Sequence, residues 1–139
     1  MNTNAIIINA TINAPVEKVW KTYITPEDIM QWNNASADWH TTKAENDLRI
    51  GGKFKFRMEA KDGSAGFDFW GTYDEVKTHE LIAYTMGDGR KAIITFTPKE
   101  DKTEMAIHFD PENENSVEMQ RSGWQGILNN FKKYVEALG

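Results

Sequence analysis

Isoleucines at positions 6, 8 and 12, with Ala10 between them, share one parity in a β-branched stretch. Residues 5–13 therefore read as a first strand. A different period follows. Pro15 stands where a first helical residue is favoured, because its missing N–H would find no partner there. Val16, Val19, Trp20 and Tyr23 then recur at helical spacing. The pattern restarts at Thr25-Pro26-Glu27-Asp28, with Thr25 as the N-cap of a second short helix. Ile29, Met30 and Trp32 form its apolar side. Residues 33–38 are small and polar and read as a loop.

Strands resume after this loop. Residues 39–46 make a weak one. Residues 53–60 alternate cleanly, with Phe54, Phe56, Met58 and Ala60 inward and Lys53, Lys55, Arg57 and Glu59 outward. Asp62-Gly63 marks a hairpin turn. In residues 67–77 the alternation breaks. Phe67, Phe69 and Tyr73 share one face, whereas Trp70 and Val76 belong to the other. Gly71 between them predicts a bulge or a close backbone approach. Residues 81–86, 91–97 and 103–109 follow at hairpin spacing, with turns at 87–89 and 98–102.

An acidic loop at 110–115 leads to the last element, a long helix over residues 116–138 capped by Asn115 or Ser116. Val117, Trp124, Ile127, Leu128, Phe131, Tyr134, Val135 and Leu138 fall on one face of it. Arg121, Gln125, Asn129, Lys132, Lys133 and Glu136 fall on the opposite face. An aromatic face this wide needs a partner, and the rest of the chain offers mainly β-structure. The order is one strand, two short helices, about six strands and one long helix, so the fold class is α+β. Short turns between consecutive strands predict an antiparallel meander. The terminal helix closes this curved sheet, an arrangement that can leave a cavity between them. Residues 1–139 read as one domain.

Composition adds to this picture. Five Trp, seven Phe and four Tyr supply enough rings to line a pocket as well as a core. The net charge is −5, and Lys and Arg are scattered among acids rather than gathered on a stripe, which argues against nucleic acid as a partner. Cysteine is absent, so no disulfide, thiolate nucleophile or Cys-ligated metal can form. No stretch approaches the ~20 apolar residues of a membrane span. The first residues lack the pattern of a secretory signal, so the cytoplasm is the expected location.

Several pieces, in their order and spacing, carry a resemblance. They are Pro15-Val-Glu-Lys-Val-Trp20, Thr25-Pro26-Glu27 with Trp32, Asp47-Leu-Arg-Ile-Gly-Gly52, Gly71-Thr-Tyr-Asp-Glu-Val76, and Gly123-Trp124 with Leu128 and Tyr134. Together they resemble the START/Bet v 1-like (SRPBCC) superfamily. Within it they are similar to the branch of the C-terminal domain of the activator of Hsp90 ATPase. The match runs from Ile8 to Leu138. It implies a helix-grip fold, a curved antiparallel sheet wrapped around the terminal helix. It also implies a cavity for a small apolar or amphipathic molecule. The additional N-terminal domain through which the activator engages Hsp90 is not expected in these residues.

Three functions stay open: a ligand-binding protein, a metal-independent cyclase- or hydrolase-like enzyme, and a stress-related interaction module that meets an Hsp90 homologue. His40, His79 and His108 show no metal-ligand spacing, and no nucleophile elbow occurs. Gly51-Gly52 and Gly87-Asp88-Gly89 are turn chemistry. An enzyme would need a buried titratable group, and Glu59, Asp68, Tyr84 and His108 are the candidates. Parity sends Glu59 and His108 toward water, and the break in alternation leaves Asp68 undecided. No catalytic residue, metal or cofactor is assigned, and binding of a small hydrophobic ligand leads.

The candidate ligand-binding residues are Phe54, Phe56, Met58, Phe67, Phe69, Tyr84 and Phe96 on strands, and Trp124, Leu128 and Phe131 on the terminal helix. Trp32 and Trp39 join them, flanking the loop where members of the resembled family often have their entrance. Trp70 stands apart as an outward aromatic. It marks either a dimer or partner surface, or a ring covered by neighbouring Lys and Arg stems.

Overall fold

In the computed structural model, which describes residues 5–138, seven strands make one antiparallel sheet. They are β1 (Ile6–Ile12), β2 (Trp39–Asn46), β3 (Lys53–Ala60), β4 (Gly66–Lys77), β5 (Leu81–Met86), β6 (Lys91–Lys99) and β7 (Lys102–Phe109). Their spatial order is β1-β7-β6-β5-β4-β3-β2. Strands β2 to β7 are thus the expected meander, and β1 pairs beside the last of them. Two short helices, α1 (Val16–Ile24) and α2 (Pro26–Trp32), carry the chain from one sheet edge to the other. The sheet curls into a half-barrel around α3 (Val117–Ala137), the helix-grip arrangement.

Strand parity decides what the sheet shows to the helix. Ile6, Ile8 and Ile12 are buried, whereas Ile7 between them is 51% exposed on the convex face. Phe54, Ile82, Tyr84, Ile94, Met105, Ile107 and Phe109 continue the buried side across the sheet. Leu128, Phe131 and Val135 of α3 are fully buried against it. The two ends of the helix stripe differ from expectation, because Val117 and Leu138 are exposed. Between these two ends α3 reaches the sheet.

The other face of α3 is not simply solvated. Gln125 Nε2 donates to the carbonyl of Asn9 at 3.1 Å, and Lys132 Nζ donates to that of Thr11 at 2.8 Å. The Asn13 N–H donates to the Glu136 carboxylate at 2.9 Å. These side chains occupy backbone groups along β1, an edge strand whose outer side has no neighbouring strand.

The helix ends refine the sequence reading. Ser116 is the cap of α3, its hydroxyl accepting from the Met119 N–H at 3.1 Å. Pro15 precedes α1 by one residue, and its carbonyl accepts from the N–H groups of Lys18 and Val19. Thr25 holds the N-cap position of α2, yet its hydroxyl donates back to the Lys21 carbonyl at 2.6 Å. One residue therefore ends α1 and begins α2.

Two strand features also correct the expectation. β6 continues through Pro98 to Lys99, so its turn to β7 is only Glu100-Asp101. Beyond Thr95 this strand has β7 alone for a neighbour, a setting that tolerates proline. The irregularity of β4 lies at Asp74, between Tyr73 and Glu75, and not at Gly71. It shifts the parity, so Val76 pairs with Ile82 and packs against the core instead of sharing a face with Trp70.

Gly71 is instead a close approach. A Cβ there would stand 2.6 Å from the Thr85 carbonyl oxygen and 2.8 Å from the Phe54 ring. Gly71→Ala should lower stability by about 1–3 kcal/mol through overpacking. Gly123, inside α3, has open space at the same position. Gly123→Ala should stabilise by roughly 0.5–1 kcal/mol through helix propensity. Urea denaturation of the two variants checks both signs.

Candidate functional site

The curl of the sheet and the position of α3 leave a pocket of about 270 Å³ between them. Its sheet wall is Phe54, Phe56 and Met58 of β3, Phe67 and Phe69 of β4, and Tyr84 of β5. Trp124, Leu128 and Phe131 of α3 face them, and Trp32 of α2 closes one end. Phe67 is 47% exposed, which places it at the mouth. Trp124 stacks on Phe109 with ring centroids 3.9 Å apart and meets Phe69 edge-on at 6.1 Å. At the α2 end Tyr23 stacks on Trp32 at 5.0 Å, and both rings meet Phe131 edge-on. Offset and edge-to-face contacts of this kind satisfy the ring quadrupoles without filling all the space between them.

Two of the expected residues do not join this wall. Phe96 is buried in the core, edge-on to Trp20 and Tyr23, because α1 covers that part of β6. Trp39 begins the edge strand β2 and lies beside Phe67 at 5.9 Å, outside the lining.

The polar members of the lining were mostly missed. Tyr23, Asn33, Asn46, Tyr73 and Arg90 all contribute to it. Tyr73 had the right parity, beside Phe67 and Phe69, and Tyr23 lay on the α1 stripe. Asn46 and Arg90 carried no local signal, since chain segments distant in sequence bring them to the pocket. The Tyr73 hydroxyl donates to Asn46 Oδ1 at 2.5 Å, and Asn46 Nδ2 donates to the Ile24 carbonyl at 2.8 Å. Asn33 Nδ2 donates to the Thr41 hydroxyl, which in turn donates to the Asn33 carbonyl. Arg90 Nε donates to Asp88 at 2.7 Å, and its Nη1 donates to the Asp110 carbonyl. The hydroxyls of Tyr23 and Tyr84 have no hydrogen-bond partner among the described residues.

Burial pushes the phenols of Tyr23, Tyr73 and Tyr84 well above the ordinary tyrosine range. For Tyr84 the neighbouring phenols of Tyr23 and Tyr73 add to this effect, and Arg90 opposes it. All three groups are therefore protonated at neutral pH and able to donate.

The convex face holds the remaining candidates. Glu59 pairs with Arg57 at 3.0 Å, and Asp68 lies 3.7 Å from the same guanidinium, so the sequence-ambiguous Asp68 points away from the pocket. His108 is on this face as parity requires, but it is flanked by Ile7 and Ile93 and is partly buried rather than water-facing. Its Nδ1 is buried with no partner among the described residues. Trp70 is 44% exposed and packs over Gly87, where a Cβ would stand 2.4 Å from the indole. The bare backbone of the β5–β6 turn thus provides its cover. Among the described residues no group of three His, Cys, Asp or Glu could hold a metal ion. No described helix is long and apolar enough to cross a membrane.

The family described as activator of Hsp90 ATPase homolog 1-like protein matches residues 13–136. The chain belongs to this family. A solution structure of an AHSA1-like protein from Aeromonas hydrophila is 43% identical, covering 96% of this chain and 94% of that one, with a TM-score of 0.88. A solution structure from Cytophaga hutchinsonii is 53% identical over 96% of this chain and 93% of that one, with a TM-score of 0.84. A crystal structure from Chromobacterium violaceum is 25% identical, covers 97% and 99% of the two chains, and has a TM-score of 0.84. A comparison with curated proteins gave no match. As an AHSA1-like protein of the START/Bet v 1 fold, the chain has the family relationship that its sequence pieces suggested.

In this AHSA1-like protein the phenols have a consequence for alkaline stability. Their pKa values are raised in the folded state, so the unfolded chain loses these protons first as pH passes about 10. The stability they contribute is complete below that pH and declines above it, by at most about 1.4 kcal/mol per pH unit for each phenol. Tyr134 is the one tyrosine of four outside the pocket lining. Tyrosinate absorbance of the native protein near pH 11 should therefore not exceed that of one phenol, with the rest appearing only on unfolding. Tyr84→Phe should make the alkaline loss of melting temperature shallower.

Proposed function

We propose that this protein binds a small apolar molecule between its sheet and α3. The aromatic pocket carries this reading. Its volume of about 270 Å³ falls just below the ~300–1,000 Å³ typical of ligand sites, so it suits a small ligand. Its wall is apolar rings with a few placed polar groups, the usual composition of such sites. A molecule of naphthalene size suits that space. The phenols beside it are held protonated, so at neutral pH they serve as hydrogen-bond donors rather than as bases.

Titration of the full chain with 2-ethylnaphthalene tests the reading. One equivalent should bind with a Kd of tens of micromolar, a modest ligand efficiency for so small a molecule. The emission of Trp32 and Trp124 should change with it. Met58→Trp, which puts a larger side chain into the pocket, should weaken binding at least about tenfold by removing the space. No uptake by the folded wild-type protein rejects the proposal.

The family description supplies a second reading, contact with an Hsp90 homologue. Adding this protein to the ATPase assay of such a homologue tests it directly. An unchanged rate at saturating protein excludes that role.

A further inference from the structure

The pocket's polar groups define its ligand more narrowly than apolar character does, provided that the pocket binds a small apolar molecule as proposed above. Most of these groups are already committed. Asn33 and Asn46 each give one amide N–H, to the Thr41 hydroxyl and to the Ile24 carbonyl, which fixes both amides. Tyr73 spends its hydroxyl proton on Asn46. Arg90 is the one charged residue of the lining, and Asp88 holds its guanidinium at 2.7 Å. An anion entering the pocket would compete with Asp88 for that charge and would lose its own hydration among phenylalanine rings.

Tyr23 and Tyr84 remain. They stand on different elements, α1 and the central strand β5, and both line the pocket. Tyr84 is only 7% exposed as a residue, and it lines the pocket. Neither hydroxyl has a partner among the described residues. A donor that no protein group engages, on the wall of an otherwise apolar pocket, is free to bond an acceptor on the ligand. We propose that the ligand is an uncharged apolar molecule bearing a carbonyl oxygen, which accepts hydrogen bonds from Tyr23 and Tyr84. The apolar body lies against Phe54, Phe69 and Trp124, and the oxygen lies toward the phenols.

Three probes of nearly equal shape test this by calorimetric titration of the full chain: 2-acetylnaphthalene, 2-ethylnaphthalene and 2-naphthoate. Ketone and hydrocarbon differ in water solubility, so the informative quantity is the ratio of their affinities in wild type against Tyr23→Phe and Tyr84→Phe. That ratio should fall about five- to tenfold in at least one variant, the effect of one neutral hydrogen bond. These variants remove one oxygen each, and thermal melts confirm that they fold. A ratio unchanged in both variants overturns the carbonyl assignment while leaving apolar binding intact. Tighter binding of the naphthoate than of the ketone also overturns it, and assigns the anchor to Arg90. Failure of both 2-ethylnaphthalene and 2-acetylnaphthalene to bind the wild type removes the underlying binding reading and this inference with it.

Discussion

The position of α3 on the sheet governs the rest of the molecule. Leu128, Phe131 and Val135 seat the middle of the helix in the concave face, and the helix packs chiefly against β1. A single helix about 10 Å across cannot cover all of a seven-stranded half-barrel. Held to the β1 side, it leaves the inner face of β3 to β5 without a full partner. The rings of Phe54, Phe69 and Tyr84 lean toward one another and toward Trp124, and what they do not fill is the pocket. The site is thus a remainder of core packing, made of the same residue types as the core.

The α2 end of the pocket is set by more local means. Thr25 closes α1 and opens α2, which brings Tyr23 and Trp32 into a stack. The Trp32 indole donates to the Thr22 carbonyl at 3.1 Å, so its ring orientation is fixed by a hydrogen bond as well as by contact. Two side chains of α3 then hold α2 in place. Asn130 donates to the Trp32 carbonyl at 2.8 Å, and the Tyr134 hydroxyl donates to Asp28 at 2.7 Å. The wall at this end therefore depends on polar contacts, whereas the sheet wall depends on pairing register.

This difference explains what the sequence reveals. Strand parity identified the inward rings of β3 and β4, because a period of two survives wherever pairing is regular. It misplaced Val76, since the extra residue at Asp74 reverses the parity beyond it and no residue type announces that shift. Phe96 had the inward parity of a pocket residue but lies under α1, a fact of docking rather than of periodicity. Asn46 and Arg90 were out of reach for a similar reason. Asn46 ends a weak strand and Arg90 leaves a tight turn, and only the assembled fold directs them to one space. The fold was legible because it repeats a pattern many times. The polar fittings of the site were not, because each occurs once and is defined by a distant neighbour.

The ties between α3 and β1 bear on how this chain meets copies of itself. A sheet edge normally offers its free donors and acceptors to any strand that approaches. Here the carbonyls of Asn9 and Thr11 and the N–H of Asn13 are taken by Gln125, Lys132 and Glu136. At these three groups the helix supplies in side-chain atoms what an eighth strand would supply in backbone. To add a strand at this edge, another molecule would have to displace these three side chains from the backbone groups they hold. Sheet-to-sheet assembly through β1 therefore competes with contacts that tie α3, the roof of the pocket, to that strand.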